Sequence, residues 1–218
     1  MPRYVYVFLD SENVPSGRHQ SSSSYFQAIM EPFMVPQTPS QEVVPGCFEV
    51  MTGIRSRNAG TNHQISGYRA AGCGFRESLV DEPEAADSIH GAGIRQAVDF
   101  HMRFRAQEPA TLVHVSSDTG FFGPIAAAVH AGFDVVVVHT GNRFSLTKYH
   151  ALAQGLAAPT LVSISSLKNK TYTYTMQPRV PPTAEYMVPL LPNILPPQVA
   201  ANWQEGAGHF MRPQLLFD

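Results

Sequence analysis

Three aspartates stand where a carboxylate can do chemistry. Asp10 follows the apolar run Tyr4–Leu9, with Glu12 and Asn13 close behind. Asp118 follows Thr111–Val115 across Ser116 and Ser117. Asp87 falls in the first turn of a helix opened by Glu82, Pro83 and Glu84. Burying an unpaired carboxylate at the end of an apolar strand is costly, and open α/β sheets hold their ligands at the carboxyl ends of their strands. Acids gathered there repel one another, and a divalent metal ion is the usual relief. Oxygen donors without cysteine select Mg²⁺ or Mn²⁺ over zinc. Such an ion holds a phosphate and activates water for attack on phosphorus. Asn13 and Ser116 are short polar groups suited to orienting a ligating carboxylate or a phosphate oxygen. Glu12 either supports that site or pairs with Arg18. Each acid also has a purely structural use: an Asx turn for Asp10, a favourable charge on the helix dipole for Asp87, a cap on the following helix for Asp118.

Those positions require a particular framework. Tyr4–Leu9 is apolar without alternation, as in a strand covered on both faces. Tyr25, Phe26, Ile29, Met30 and Phe33 share one helical face, with Ser21–Ser24 available as a cap and Pro32 ending the helix near Met30. Cys47–Ile54 reads as a second strand, Arg55–Asn62 as a polar loop, and Tyr68–Leu79 as an ambiguous stretch able to hold a strand. Ala86, Ile89, Gly93, Ala97, Phe100 and Phe104 recur at helical steps and predict a long amphipathic helix. Then come a strand at Thr111–Val115, a helix over Phe122–Ala131 closed by Gly132, a strand at Phe133–His139, a helix over Ser145–Gly155 and a last strand at Thr160–Ile164. This alternation predicts an α/β fold: one domain over residues 1–168, with a mostly parallel central sheet and helices on both faces. From Asn169 the texture changes. Eight prolines between Pro178 and Pro213 predict a largely irregular tail over residues 169–218. Its Tyr186, Leu190, Leu191 and Trp203 offer a surface for the domain or a protein partner.

Composition narrows the classes. A net charge of −2 argues against strong non-specific binding to polyanions or anionic membranes. With only three lysines, Lys148, Lys168 and Lys170, arginine must carry most phosphate contacts. Cys47 and Cys73 form no zinc spacing and no disulfide framework, which points to a reducing, intracellular, cytoplasmic setting. No run reaches the length of a membrane span, so no membrane partner is expected. Phosphate-loop, dinucleotide and nucleophile-elbow motifs are absent.

Three segments, VFLDSENVPSGR, EAADSIHGAGIRQAV and ATLVHVSSDTGFFGPIAAAVHAGFDVVVVH, together resemble the NYN domain, a branch of the PIN-like nucleases, most closely its limkain type. The resemblance runs in order over about residues 3–165. It implies a metal-dependent endoribonuclease that hydrolyses RNA, single-stranded by expectation, at an acidic Mg²⁺ or Mn²⁺ site. By motif, Asp10 and Asn13 match the opening D-x-E-N, Asp87 the A-A-D acid and Asp118 the S-S-D acid. Arg18, Arg55 and Arg57 are then expected to contact backbone phosphates from loops at the same edge. The chain departs from the pattern at Gly120, and at Thr52 and Gly53, where many members carry acids. The reduced acid set sustains an alternative, a catalytically weak NYN module that binds RNA or protein. A small phosphatase or nucleotide-binding protein of the doubly wound type is a third, lesser expectation.

Overall fold

The apolar run at the N-terminus becomes β1 (Arg3–Asp10), and β1 lies in the middle of a six-stranded sheet. The computed structural model describes residues 1–16, 21–53, 59–78, 85–118, 120–140 and 159–177. The other strands are β2 (Val43–Gly53), β3 (Gly74–Ser78), β4 (Ala110–Val115), β5 (Asp134–His139) and β6 (Thr160–Ser163). Their order is β3-β2-β1-β4-β5-β6, and every neighbouring pair is parallel. The sheet is therefore parallel throughout, and all strands end at one edge. From β1 the chain builds outward to β3 on one side, then crosses to β4 and builds outward on the other. The reversal falls between β1 and β4, the place where such sheets open a crevice.

Both faces are covered, which is why β1 shows no polar alternation. Val5, Val7 and Leu9 face one core with α1 (Ser22–Met30), α2 (Ala59–Ala70) and the short α5 (Ile164–Lys168). Tyr6 and Phe8 face the other, with α3 (Ala85–Phe104) and α4 (Phe122–His130). Ser21 caps α1 by accepting from the Ser24 N–H at 3.1 Å. Pro32 then tightens the chain into a 3₁₀ turn, Glu31–Met34, which buries Phe33. Gly132 follows α4 with φ of 80°, the left-handed conformation that ends many helices. Among the described residues no helix is long and apolar enough to cross a membrane.

Two elements differ from expectation. The second strand begins at Val43, before Cys47, because Pro45 and Gly46 belong to the sheet. The register passes from Val5↔Pro45 to Tyr6↔Cys47, leaving Gly46 as an extra, bulged residue. Pro45 is tolerated because β3 pairs only with Glu49–Gly53, so the outer side of β2 is open there. The Tyr6 ring lies where a Gly46 side chain would stand, with ring carbons 2.6 Å from the Cβ position. That ring is buried, packs on Phe133 and bonds His101 Nδ1 at 3.0 Å, so it has no room to retreat. Gly46→Ala should cost about 1–3 kcal/mol, read as a lower denaturant midpoint at unchanged m-value.

The second difference is α2, where a polar loop was expected over its first residues. Gly60, Asn62 and Gly67 weaken its helical signal. What holds it is tertiary: Tyr68 is buried edge-on against Phe26, and Gly67 lets α2 approach Ser22 of α1. The expected helix Ser145–Gly155 lies outside the described residues.

Residues 171–177 have no regular structure, yet they are fastened to the domain. Arg3, fully buried, donates to Thr111 Oγ1 at 3.0 Å and to the Phe33 and Val35 carbonyls at 2.6 and 3.0 Å. With its oxygen accepting from Arg3, Thr111 donates to Tyr174, and the Tyr174 hydroxyl donates to Asp134. The Arg3 guanidinium also lies over the Tyr174 ring. The packed unit therefore continues past Lys168. Tyr186, Leu190, Leu191 and Trp203 lie outside the described residues.

Candidate functional site

The carboxyl edge of the sheet at the reversal gathers most of the residues singled out from sequence. Side-chain alternation turns Asp10, like Tyr6 and Phe8, toward the α3 and α4 face. Asp10 is buried, and its carboxylate accepts four hydrogen bonds. Oδ1 takes the Glu12 and Asn13 backbone N–H groups at 3.1 and 3.2 Å; Oδ2 takes Asn13 Nδ2 at 2.5 Å and Ser116 Oγ at 2.9 Å. The Asx turn and the site-like position are thus realised together. Burial pushes the Asp10 carboxyl above its usual range, and the bonds from Asn13, Ser116 and Glu12 oppose that shift. Ser11 anchors the same turn by donating to the Met51 carbonyl at 2.8 Å. Glu12 contributes its backbone to the turn, and its side chain is exposed.

Ser116 joins two of the acids. While donating to Asp10, its hydroxyl accepts from the Asp118 N–H at 3.1 Å. Ser117 ties the same loop to the end of β5 through Thr140, 2.8 Å between hydroxyls. Asp118 accepts from the Gly120 N–H at 2.8 Å, and Phe121, the residue capping α4, has no side-chain cap bond. Asp118 is therefore a loop-folding carboxylate and not the cap of α4. Asp87 lies in the first turn of α3, where the helix dipole favours an acid. Asp87 and Asp118 meet across Gly120: Oδ1 of Asp118 and Oδ2 of Asp87 lie 3.5 and 3.9 Å from the position a Gly120 Cβ would take. Both side chains are half-buried.

Gly120 thus leaves open a space lined by two carboxylates, a donor set that suits a hard divalent cation. Asp10 stands one link away through Ser116, with its lone pairs engaged in hydrogen bonds. Among the described residues no group of three or more His, Cys, Asp or Glu side chains stands ready to hold a metal ion. Arg18, Arg55 and Arg57 lie outside the described residues.

Beneath the acids lies a pair that sequence spacing does not reveal. His90 of α3 and His114 of β4 are buried, with Nε2 of His90 3.1 Å from Nδ1 of His114. Phe121 packs on both rings. Their remaining nitrogens have no hydrogen-bond partner among the described residues. Burial drives both imidazoles below their usual pKa, His114 to about 3, and keeps them neutral at ordinary pH. The pair staples α3 to the strand that leads into Ser116 and Asp118. Compared with models of known protein families and with curated proteins, the chain finds no match.

Proposed function

We propose that this chain is a metal-dependent endoribonuclease of the NYN type, cleaving single-stranded RNA with Mg²⁺ or Mn²⁺. The observation that carries the reading is the pair Asp87 and Asp118 flanking bare Gly120 at the sheet reversal, with Asp10 tied to Asp118 through Ser116. The choice of RNA rests on the resemblance of the three sequence segments to NYN domains. In this reading Asp87 and Asp118 hold the ion, which supplies an activated water and offsets phosphate charge. Asp10, fixed by Asn13 and Ser116, holds the β4–α4 loop in place and adds negative potential. The free cysteines, Cys73 buried, fit a reducing cytoplasmic setting.

The test is incubation of labelled single-stranded RNA with the full chain. Cleavage should appear with Mn²⁺, stop with EDTA and be lost in Asp87→Asn. Absence of Mn²⁺-dependent cleavage, or its survival in Asp87→Asn, sinks the reading. The four bonds that engage Asp10 favour a second one, an NYN module that binds RNA or a protein partner without cutting. RNA binding that EDTA leaves unchanged, with no cleavage, would establish it.

A further inference from the structure

Asp87, Gly91 and Arg95 lie at steps of four on α3 and form one ridge of that helix. The ridge faces the turn leading into α4. Asp87 lies beside Gly120, a Cβ on Gly91 would stand 3.2 Å from Pro124 Cγ, and Arg95 Nη2 is 3.3 Å from the Cβ position of Gly123. Helical side chains lean toward the N-terminus of their helix. Arg95 extends from the same ridge onto α4. Its guanidinium ends over the first turn of α4, three residues along the chain from the glycine that separates the two carboxylates.

Arg95 is exposed and, among the described residues, makes no hydrogen bond or ion pair. Asp99, one turn further on, is influenced electrostatically by both Arg95 and Arg103. The donors of Arg95 thus face solvent at the first turn of α4, three residues along the chain from Gly120. A planar guanidinium in such a place matches a phosphate through paired N–H groups, which a lysine does not reproduce.

We propose that Arg95 binds a backbone phosphate of the RNA on the α4 side of the one that a metal ion at Asp87 and Asp118 would hold, so that the strand crosses the seam between α3 and α4. This inference rests on the ribonuclease reading above and adds a substrate contact to it. Position 95 was not among the arginines expected to meet phosphate.

The experiment follows binding of a fluorescent single-stranded RNA to the full chain by anisotropy, in EDTA, between 50 and 200 mM salt. Arg95→Ala should bind about tenfold more weakly at the lowest salt. Its plot of log affinity against log salt should be shallower by about 0.7, the share of one phosphate contact on a single strand. Arg95→Lys should keep the slope while losing part of the affinity. Being exposed, position 95 should leave the thermal midpoint unchanged in both variants, and a fallen midpoint with wild-type RNA affinity would count against the contact. A wild-type slope and affinity in Arg95→Ala overturn the Arg95 contact alone. A wild-type chain that binds no RNA in EDTA overturns the contact, and one that also cleaves none with Mn²⁺ overturns the ribonuclease reading with it.

Discussion

Asp118→Asn should lower Mn²⁺-dependent RNA cleavage by at least about a hundredfold while leaving the fold intact. The size follows from the proposed role of Asp118 in holding the ion: even groups that only support a metal ligand cost 10- to roughly 100-fold when removed, and a ligand would cost no less. The sparing of the fold follows from local geometry. Asparagine keeps an oxygen that can accept from the Gly120 N–H, and the backbone bond from residue 118 to Ser116 does not involve the side chain. The negative charge facing Asp87 across Gly120 is lost. Initial rates on labelled RNA, read beside a thermal melt, check both halves. Wild-type cleavage in this variant would remove Asp118 from the site. The same change at Asp10 behaves differently. An amide has one accepting oxygen where Asp10 accepts four bonds, and its NH₂ would confront the donors of Asn13 and Ser116. Asp10→Asn therefore loses stability along with any activity.

The largest pH effect on stability should come from the His90–His114 pair. An unfolded histidine takes up its proton near pH 6.5, whereas folded His114 resists protonation until about pH 3, and His90 is displaced the same way. Between those limits the unfolded chain binds more protons than the folded one. The stabilisation is complete above pH 6.5 and falls as the solution is acidified. At pH 5 the loss from His114 alone is about 2 kcal/mol. Asp10, Glu49 and Asp134 work in the opposite sense. Burial raises their folded pKa, so they favour the folded state as pH falls through those values. A difference measurement separates the two. Replacing both imidazoles, His90→Leu with His114→Leu, removes a buried polar pair as a unit, which proteins tolerate better than removing one partner. Urea midpoints at pH 7 and pH 5 should then fall much less in the double variant than in the wild type. Equal falls in the two proteins would show that the pair does not govern acid sensitivity.

The elements that carry the acids were legible because each has a strong local signal. Tyr4–Leu9 and the valines of β5 are too apolar for anything but a covered strand, and the spacing from Ala86 to Phe104 is helical. A parallel sheet then places every strand end, and the start of α3 and α4, on one edge. Much of the Asp10 cage was also readable, since Asn13 is three residues away and Ser116 immediately follows β4. The rest depended on distant partners. Pro45 and Gly46 punctuate a sequence like a loop, and only the Tyr6 ring shows why glycine sits in the strand. Helix α2 has weak propensity and is fixed by Tyr68 against Phe26. His90 and His114, on different elements, have no spacing that announces a pair. Arg95 looks like any arginine on the wet side of a helix until Gly123 is brought beneath it.

The central position of β1 has a consequence for how the chain is made. β1 leaves the ribosome before the other five strands of the sheet, yet its register with β4, from Tyr4↔Ala110 to Leu9↔Val115, waits for more than a hundred further residues. At about 5–20 residues per second that is a delay of roughly 5–20 s. β2 arrives far sooner and covers one side of β1. Its other side remains an unpaired apolar edge, the kind of surface that recruits chaperones or a neighbouring nascent chain. The strand that ends in Asp10 is thus the earliest part of the site, yet its second side is sealed only after β2, β3 and β4 have been made.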